Sequence, residues 1–360
     1  MFLARRDLWV ARGRFTLVGA VIALVALLSG LLSGLATGLV DDGISGLRRL
    51  PLTHLAFQAG AEAEFSRSSL DADDLSPWTE ALGNDAAPLG VSFFNARTKA
   101  GETLDVALFG TSPGSFLAPD PQARDALADG GIVLSEELAA SGVAVGDELT
   151  IVGPDISLKV LGFTYGGSYG HVDIAFTSLA TWQRLMYGEA ARGRFNAIAV
   201  RDVDGPALTR LAASTELALY TKEAAYAGSP GFAAESATMT LIRTFLVLIS
   251  AMVIGAFFTV WTVQRGHQIG LLKALGASTS YVVRDALGQI AVVIALATAV
   301  GTGIAALTGL LVGSGVPFRL DAVSLLANAA LLVVAGLLGS SSALRRITRV
   351  DPAVALAAQP

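Results

Sequence analysis

The sequence predicts an integral membrane protein with four transmembrane α-helices, one plus three, and a large α+β extracytoplasmic domain inserted between helices 1 and 2. Three observations carry that prediction. The 360 residues are 53% hydrophobic and only 15% charged, with a mean hydropathy of +0.60, whereas soluble domains carry about 25% charge. The apolar residues are bunched into four runs near the length, about 20 residues, that a helix needs to cross the hydrocarbon layer. Between the first run and the second, from Asp41 to about Ala234, the chain turns polar, with prolines, acidic residues and short alternating segments.

The first run covers residues 15–40, preceded by Arg5, Arg6, Arg12 and Arg14 and followed by Asp41 and Asp42. Its basic flank belongs in the cytosol, together with residues 1–14. A cleaved leader would have an apolar region of about 7–15 residues. This run is longer and has no clear small-residue cleavage site, so a retained helix is expected.

Residues 41–234 read as a folded domain with a stalk. Strands are expected at 91–95, 104–109, 149–152, 158–163, 172–176 and 196–200, separated by Gly, Pro, Asp and Ser. Helices are expected at 135–141, 177–186 and 206–214, each opening near a Ser, Thr or Pro start signal. Such a mixture is the α+β class.

The second membrane helix is placed at 235–263, the third at 286–312 and the fourth at 322–340. Counting crossings from a cytosolic N-terminus puts the segment 264–285, with Arg265, Lys273 and Arg284, on the cytosolic side. The tail 341–360, with Arg345, Arg346 and Arg349, falls there too. Residues 313–321 become a tight outer loop. Gly301, Gly303, Gly309 and Gly313 are expected to serve close packing of helices within the chain.

Several chemistries find no support. There is no cysteine, and His54, His171 and His267 have no zinc-ligand spacing, so no intrinsic metal site is expected. No Gly-x-Ser-x-Gly elbow stands at a strand-to-helix turn, so no catalytic residue is proposed. No Gly-x-x-x-x-Gly-Lys-Ser/Thr loop is present to cradle phosphates, so any ATP is used by a partner. A net charge of −5 argues against nucleic acid. The glycine-rich stretch 165–171 is expected to be a hairpin connection rather than a mobile binding loop.

The segment Gln264-Arg-Gly-His-Gln-Ile-Gly-Leu-Leu-Lys-Ala-Leu-Gly-Ala-Ser278 follows a membrane helix directly and mixes Ile269, Leu271, Leu272 and Leu275 with cations. Those apolar positions suit a partner groove or the membrane surface. The segment resembles the loop after the second transmembrane helix of MacB-like, or FtsX-like, permeases of ATP-binding cassette (ABC) transporters. The resemblance rests on Arg265, Ile269, Gly270, Leu272, Lys273, Ala274, Gly276, Ala277 and Ser278, and Gln268 stands where the family usually has glutamate. It extends to the one-plus-three layout, to Ile132-Val-Leu-Ser-Glu-Glu-Leu-Ala139, Val145-Gly-Asp-Glu-Leu-Thr-Ile151 and Leu158-Lys-Val-Leu-Gly162, and to the ending Asp351-Pro-Ala-Val-Ala-Leu356. It implies a homodimer in the bacterial cell membrane, bound to two copies of a cytosolic ABC ATPase, with both termini in the cytosol. Arg265, Gln268, Ile269, Gly270, Leu272, Lys273 and Gly276 then become the residues of ATPase coupling.

Where the domain returns to the membrane, Glu235, Met239 and Arg243 lie four apart, along one helical stripe. An ionisable residue inside an apolar run is a functional hypothesis by default, although snorkelling alone also explains Arg243. If the stripe faced a dimer axis, Glu235 and Met239 would offer oxygen or sulfur ligands to a metal-centred planar substrate while Arg243 paired with its carboxylates. Haem fits that description. In size and layout the chain is also similar to the haem-exporting Gram-positive branch of the family. The expected function is export of a hydrophobic or amphipathic compound, haem first, with drugs and antimicrobial peptides next. The alternative is a mechanotransmitting regulator of a cell-wall hydrolase, and a membrane-anchored enzyme ranks last.

Overall fold

The computed structural model describes residues 12–119, 121–188, 193–201, 205–312 and 316–340. Arg5 and Arg6, Gly313, the basic residues of the tail and the ending 351–356 lie outside the described residues. The chain divides into two compact units, Leu39–Ser236 and Met1–Gly38 with Ala237–Pro360.

The elements run α1 (Arg12–Arg49), β1 (His54–Gln58), α2 (Ala72–Leu82), β2 (Ala86–Arg97), β3 (Thr103–Thr111), α3 (Pro121–Ala128), β4 (Ile132–Ser135), β5 (Glu148–Ile151), β6 (Ile156–Thr164), β7 (Ser168–Tyr169), β8 (Val172–Ser178), α4 (Leu179–Tyr187), β9 (Ala197–Val200), α5 (Gly205–Ser214), β10 (Leu217–Thr221), α6 (Lys222–Ala225), α7 (Phe232–Gln264), α8 (Gly266–Ala274), α9 (Thr279–Gly309) and α10 (Ala322–Gly339). Among the described residues, α1, α7, α9 and α10 are the four helices long and apolar enough to cross a membrane.

The inserted domain is built on one sheet ordered β10-β1-β9-β2-β3-β8-β4-β6-β5, in which β3–β8 and β4–β6 are parallel and the other neighbours antiparallel. β5 then returns to the far end of β2, with Ala96 opposite Ile151 and Arg97 opposite Thr150, so six strands close on themselves. Both faces are covered. Ala107 and Phe109 of β3 join one core with Phe57, Tyr169 and Phe176, while the alternate Val106 and Leu108 join another with Ile132, Leu149 and Val160. Burial on both faces explains why Ala197–Val200 carries apolar residues at every position.

Trp182 of α4 is fully buried and lies over Gly90 of β2 and Gly110 of β3, which face each other across the ladder. A Cβ at either glycine would collide with the indole. Asn196 acts as a strand residue through its side chain, accepting from Val91 N–H at 2.9 Å and donating to the Val91 carbonyl at 2.8 Å.

In the membrane unit, small residues set the helix separations. A Cβ on Gly301 of α9 would land on the Ala23 carbonyl of α1, and one on Gly309 would meet Phe318 and Leu320. These two glycines are packing residues, as expected; Gly303 has nothing within 4 Å. Ser29 of α1 and Asn328 of α10, both buried, bond each other reciprocally at 2.8 and 3.1 Å, a polar clasp between apolar helices.

α9 starts at Thr279, not near residue 286 as the hydropathy suggests. Ser278 caps it, its hydroxyl accepting from Tyr281 N–H. Arg284 and Asp285 therefore sit on helix rather than loop. Charge in the opening turns of a helix reads as a connection when only the apolar run is followed.

Candidate functional site

Within the inserted domain, the last turns of α1, the hairpin β7–β8 and the first turn of α7 converge on one imidazole. Tyr169 pairs with Val172, leaving Gly170 and His171 as a two-residue turn with φ of +59° and +62°. Two left-handed residues in succession make a type I′ turn, the form whose twist matches a hairpin. Contrary to expectation, the stretch 165–171 does not join β6 to β8 as a hairpin, because β4 lies between those strands. Only its end, β7 and the turn, forms a hairpin with β8, and it carries a contact that the sequence did not disclose.

Gly170 N–H donates to the Gly43 carbonyl at 2.9 Å, Ser168 N–H to the Ser45 hydroxyl at 2.9 Å, and the Ser168 hydroxyl to Asp42 Oδ1 at 2.9 Å. The hairpin is in this way pinned along α1. His171 Nδ1 then lies 2.9 Å from Asp42 Oδ2, and its Nε2 lies 3.1 Å from both Oε1 and Oε2 of Glu235. A neutral imidazole donates from one nitrogen; satisfying carboxylates on both edges takes the imidazolium. Burial alone would lower the His171 pKa, but the hydrogen bond to Asp42 and the charges of Glu235 and Asp42 outweigh it and hold the value above the ordinary one. The carboxylates flank the ring on opposite edges, and among the described residues no His/Cys/Asp/Glu group is arranged to hold a metal ion.

Asp173, two residues further along β8, is pushed up to about 7 by burial first, then by its hydrogen bond to Glu137, the charge of Glu137 and the charge of Asp42. Its ordinary value is 3.8, so folding takes up a proton between the two. Stability therefore falls as pH rises across that window and is flat above it. In thermal unfolding of the full-length chain, Asp173→Asn is expected to gain on wild type progressively from about pH 4 to about pH 7 and then hold a constant lead.

Of the stripe chosen from sequence, Glu235 is the residue that meets His171. Met239 and Arg243 are half-buried in the membrane unit, where Arg243 Nη2 donates to the Ser33 hydroxyl of α1 at 3.2 Å. The open face of α7 is a different one, formed by Leu241, Phe245, Leu248, Ile249 and Met252. What the sequence missed is the pair Asp42 and His171. A Gly-His at a hairpin tip is a weak signal, and nothing local relates positions 42, 171 and 235.

The segment after α7 explains its own wording. Gly276 has φ +95°, its N–H donates to the Lys273 carbonyl, and Ala277 N–H donates to the Leu272 carbonyl. These two bonds make a Schellman stop for α8, and Ser278 starts the next helix. Arg265 lies 4.8 Å over the Trp261 ring, while its Nε donates to Gln268 Oε1 at 3.0 Å and its Nη1 to Gln289 Oε1 at 3.3 Å. A neutral carbonyl at Gln268 thus receives the guanidinium within the chain. Ile269 and Gly270 are buried among the chain's own helices, Leu272 and Lys273 are half-buried, and Leu271 and Leu275 are exposed. A cleft of about 290 Å³ opens between Trp261, Gln268, Leu272, Tyr281 and Asp285.

The description "MacB-like periplasmic core domain" matches residues 17–216, and "FtsX-like permease C-terminal" matches residues 240–352. A protein of Staphylococcus haemolyticus described as "Putative hemin transport system permease protein HrtB" is 25% identical over 99% of both chains. A Staphylococcus epidermidis protein of the same description is 22% identical over 62% of this chain and 63% of its own. Among solved structures, the periplasmic region of MacB from Actinobacillus actinomycetemcomitans aligns over 50% of this chain and 94% of its own, with 13% identity and a TM-score of 0.38. The extracellular domain of the noncanonic ABC-type transporter YknZ from Gram-positive bacteria aligns over 47% and 98%, with 11% identity and a TM-score of 0.34. With its core-domain match alone covering more than half of the sequence, this chain belongs to the MacB-like, FtsX-like family of ABC transporter permeases.

Proposed function

We infer that this permease is the membrane subunit of an ATP-driven exporter whose cargo is haem. The observation that carries the reading is the 25% identity along 99% of both chains to a protein described as a hemin transport permease. In this reading ATP is hydrolysed by a cytosolic ATPase partner, two copies of which serve a homodimer; the absence of a phosphate-binding loop in the sequence is consistent with that division of labour. The exposed Leu271 and Leu275, beside Arg265 and Lys273, are the positions from which an ATPase would be engaged. The basic flanks support a cytosolic position for both termini in a bacterial cell.

Glu235 and Met239 are the candidate iron ligands, and Arg243 the candidate partner of the porphyrin carboxylates. The test is haem titration of the purified full-length chain by absorption spectroscopy, with wild type, Glu235→Ala and Met239→Ala. A saturable spectrum in wild type that is lost in either variant supports the reading; no specific binding to wild type would sink it and move drugs and peptides ahead. The mechanotransmission reading draws on one feature, a cleft of about 300 Å³ in the extracytoplasmic domain flanked by the exposed Phe93 and Met186. Such a surface suits a protein partner outside.

A further inference from the structure

The geometry points to His171 as a positioning residue that closes a clasp on Glu235 and must let go of it before that carboxylate can meet cargo. The inference rests on the reading that Glu235 is a cargo contact.

Both oxygens of Glu235 lie 3.1 Å from one nitrogen, so the side of the carboxylate a ligand would approach from the hairpin is occupied. The ring is braced from behind. Asp42 holds Nδ1 at 2.9 Å, Ser168 fixes the other oxygen of Asp42, and Ser45 fixes Ser168 in turn. A ring held by such a chain keeps its direction, and a hydrogen bond between charged groups is among the stronger ones.

The backbone adds a second sign. His171 has φ +62°, a left-handed conformation that costs a residue with a side chain and that glycine adopts freely. The turn itself would accept glycine here at least as well as histidine, so the imidazole is not what makes the hairpin. What it adds is a link between three elements. α1 through Asp42, the hairpin through its own backbone, and the first turn of α7 through Glu235 are all joined at one ring.

His171→Gly tests this without endangering the fold, because it suits the turn and removes the ring. Two measurements on the full-length chain separate the clasp from the cargo reading. In the absence of haem, amide exchange over residues 39–46 and 229–236 is expected to quicken in His171→Gly, and also in Glu235→Gln with His171 intact. Unchanged exchange in both variants overturns the clasp. On haem titration, His171→Gly is expected to bind about tenfold more tightly than wild type, since the competitor for Glu235 is gone, and the double variant with Glu235→Ala is expected to lose that gain. Weaker or equal binding by His171→Gly overturns the competition. If exchange quickens but neither wild type nor variant binds haem, the cargo reading fails while the contact between His171 and Glu235 stands.

Discussion

Trp182→Ala is expected to destabilise the extracytoplasmic domain by about 3–5 kcal/mol, the range for truncating a fully buried tryptophan. The indole is fully buried over Gly90 and Gly110, whose missing side chains are the space it fills. No side chain of β2 or β3 stands at those two positions to relax into the hole, so the cavity stays open. Among the described residues the indole N–H meets no acceptor. Trp182→Phe is therefore expected to lose far less, since it gives up some volume and no hydrogen bond. Thermal unfolding and protease sensitivity of the full-length chain read the difference. Equal losses for alanine and phenylalanine would show that the site is not governed by packing.

The second large effect belongs to the membrane unit. Gly301→Val would drive a methyl-bearing carbon onto the Ala23 carbonyl, a contact with backbone that no rotamer can relieve. Helices in lipid are held by close packing rather than by exclusion from water. Separating α1 from α9 is thus expected to cost at least the 1–3 kcal/mol typical of overpacking, about the upper end of that range or beyond it. Gly303→Val, two residues on along the same helix with open space around it, is the matched control and is expected to be tolerated. The yield of detergent-stable protein for the two variants decides the matter. A Gly303→Val loss as severe as that of Gly301→Val would mean that helix propensity, not contact, is responsible.

The membrane helices were legible because a span of hydrocarbon demands contiguous apolar residues, and contiguity is visible in one dimension. β2, β3, β5, β6, β8 and β9 were legible for a related reason, since alternation and bounding turn residues are local. β1, β4 and β10 were not assigned as strands. His54–Gln58, Ile132–Ser135 and Leu217–Thr221 are four or five residues long, a length at which the period of an apolar run is ambiguous and at which β5 and β9, equally short, could as easily have been passed over. α2 was hidden by Pro77 in its middle, although its start was written in Asp71 and Asp74, whose side chains and backbone cap each other. At the candidate site the four-residue spacing of Glu235, Met239 and Arg243 could be read from the helix period. The ring that meets Glu235 could not, because 129 residues separate His171 from Asp42 and 64 separate it from Glu235.

The antiparallel pairing of β1 with β10 sets His54 opposite Thr221, so the chain enters and leaves this domain through adjacent strands of one sheet. A domain whose ends meet behaves as an insert. Its interior can be lengthened, exchanged or lost between those two strands without stretching what precedes or follows them. In evolutionary terms, the part that samples the exterior is free to diversify at a pace of its own, while the helices that answer to the bilayer remain under a separate set of constraints.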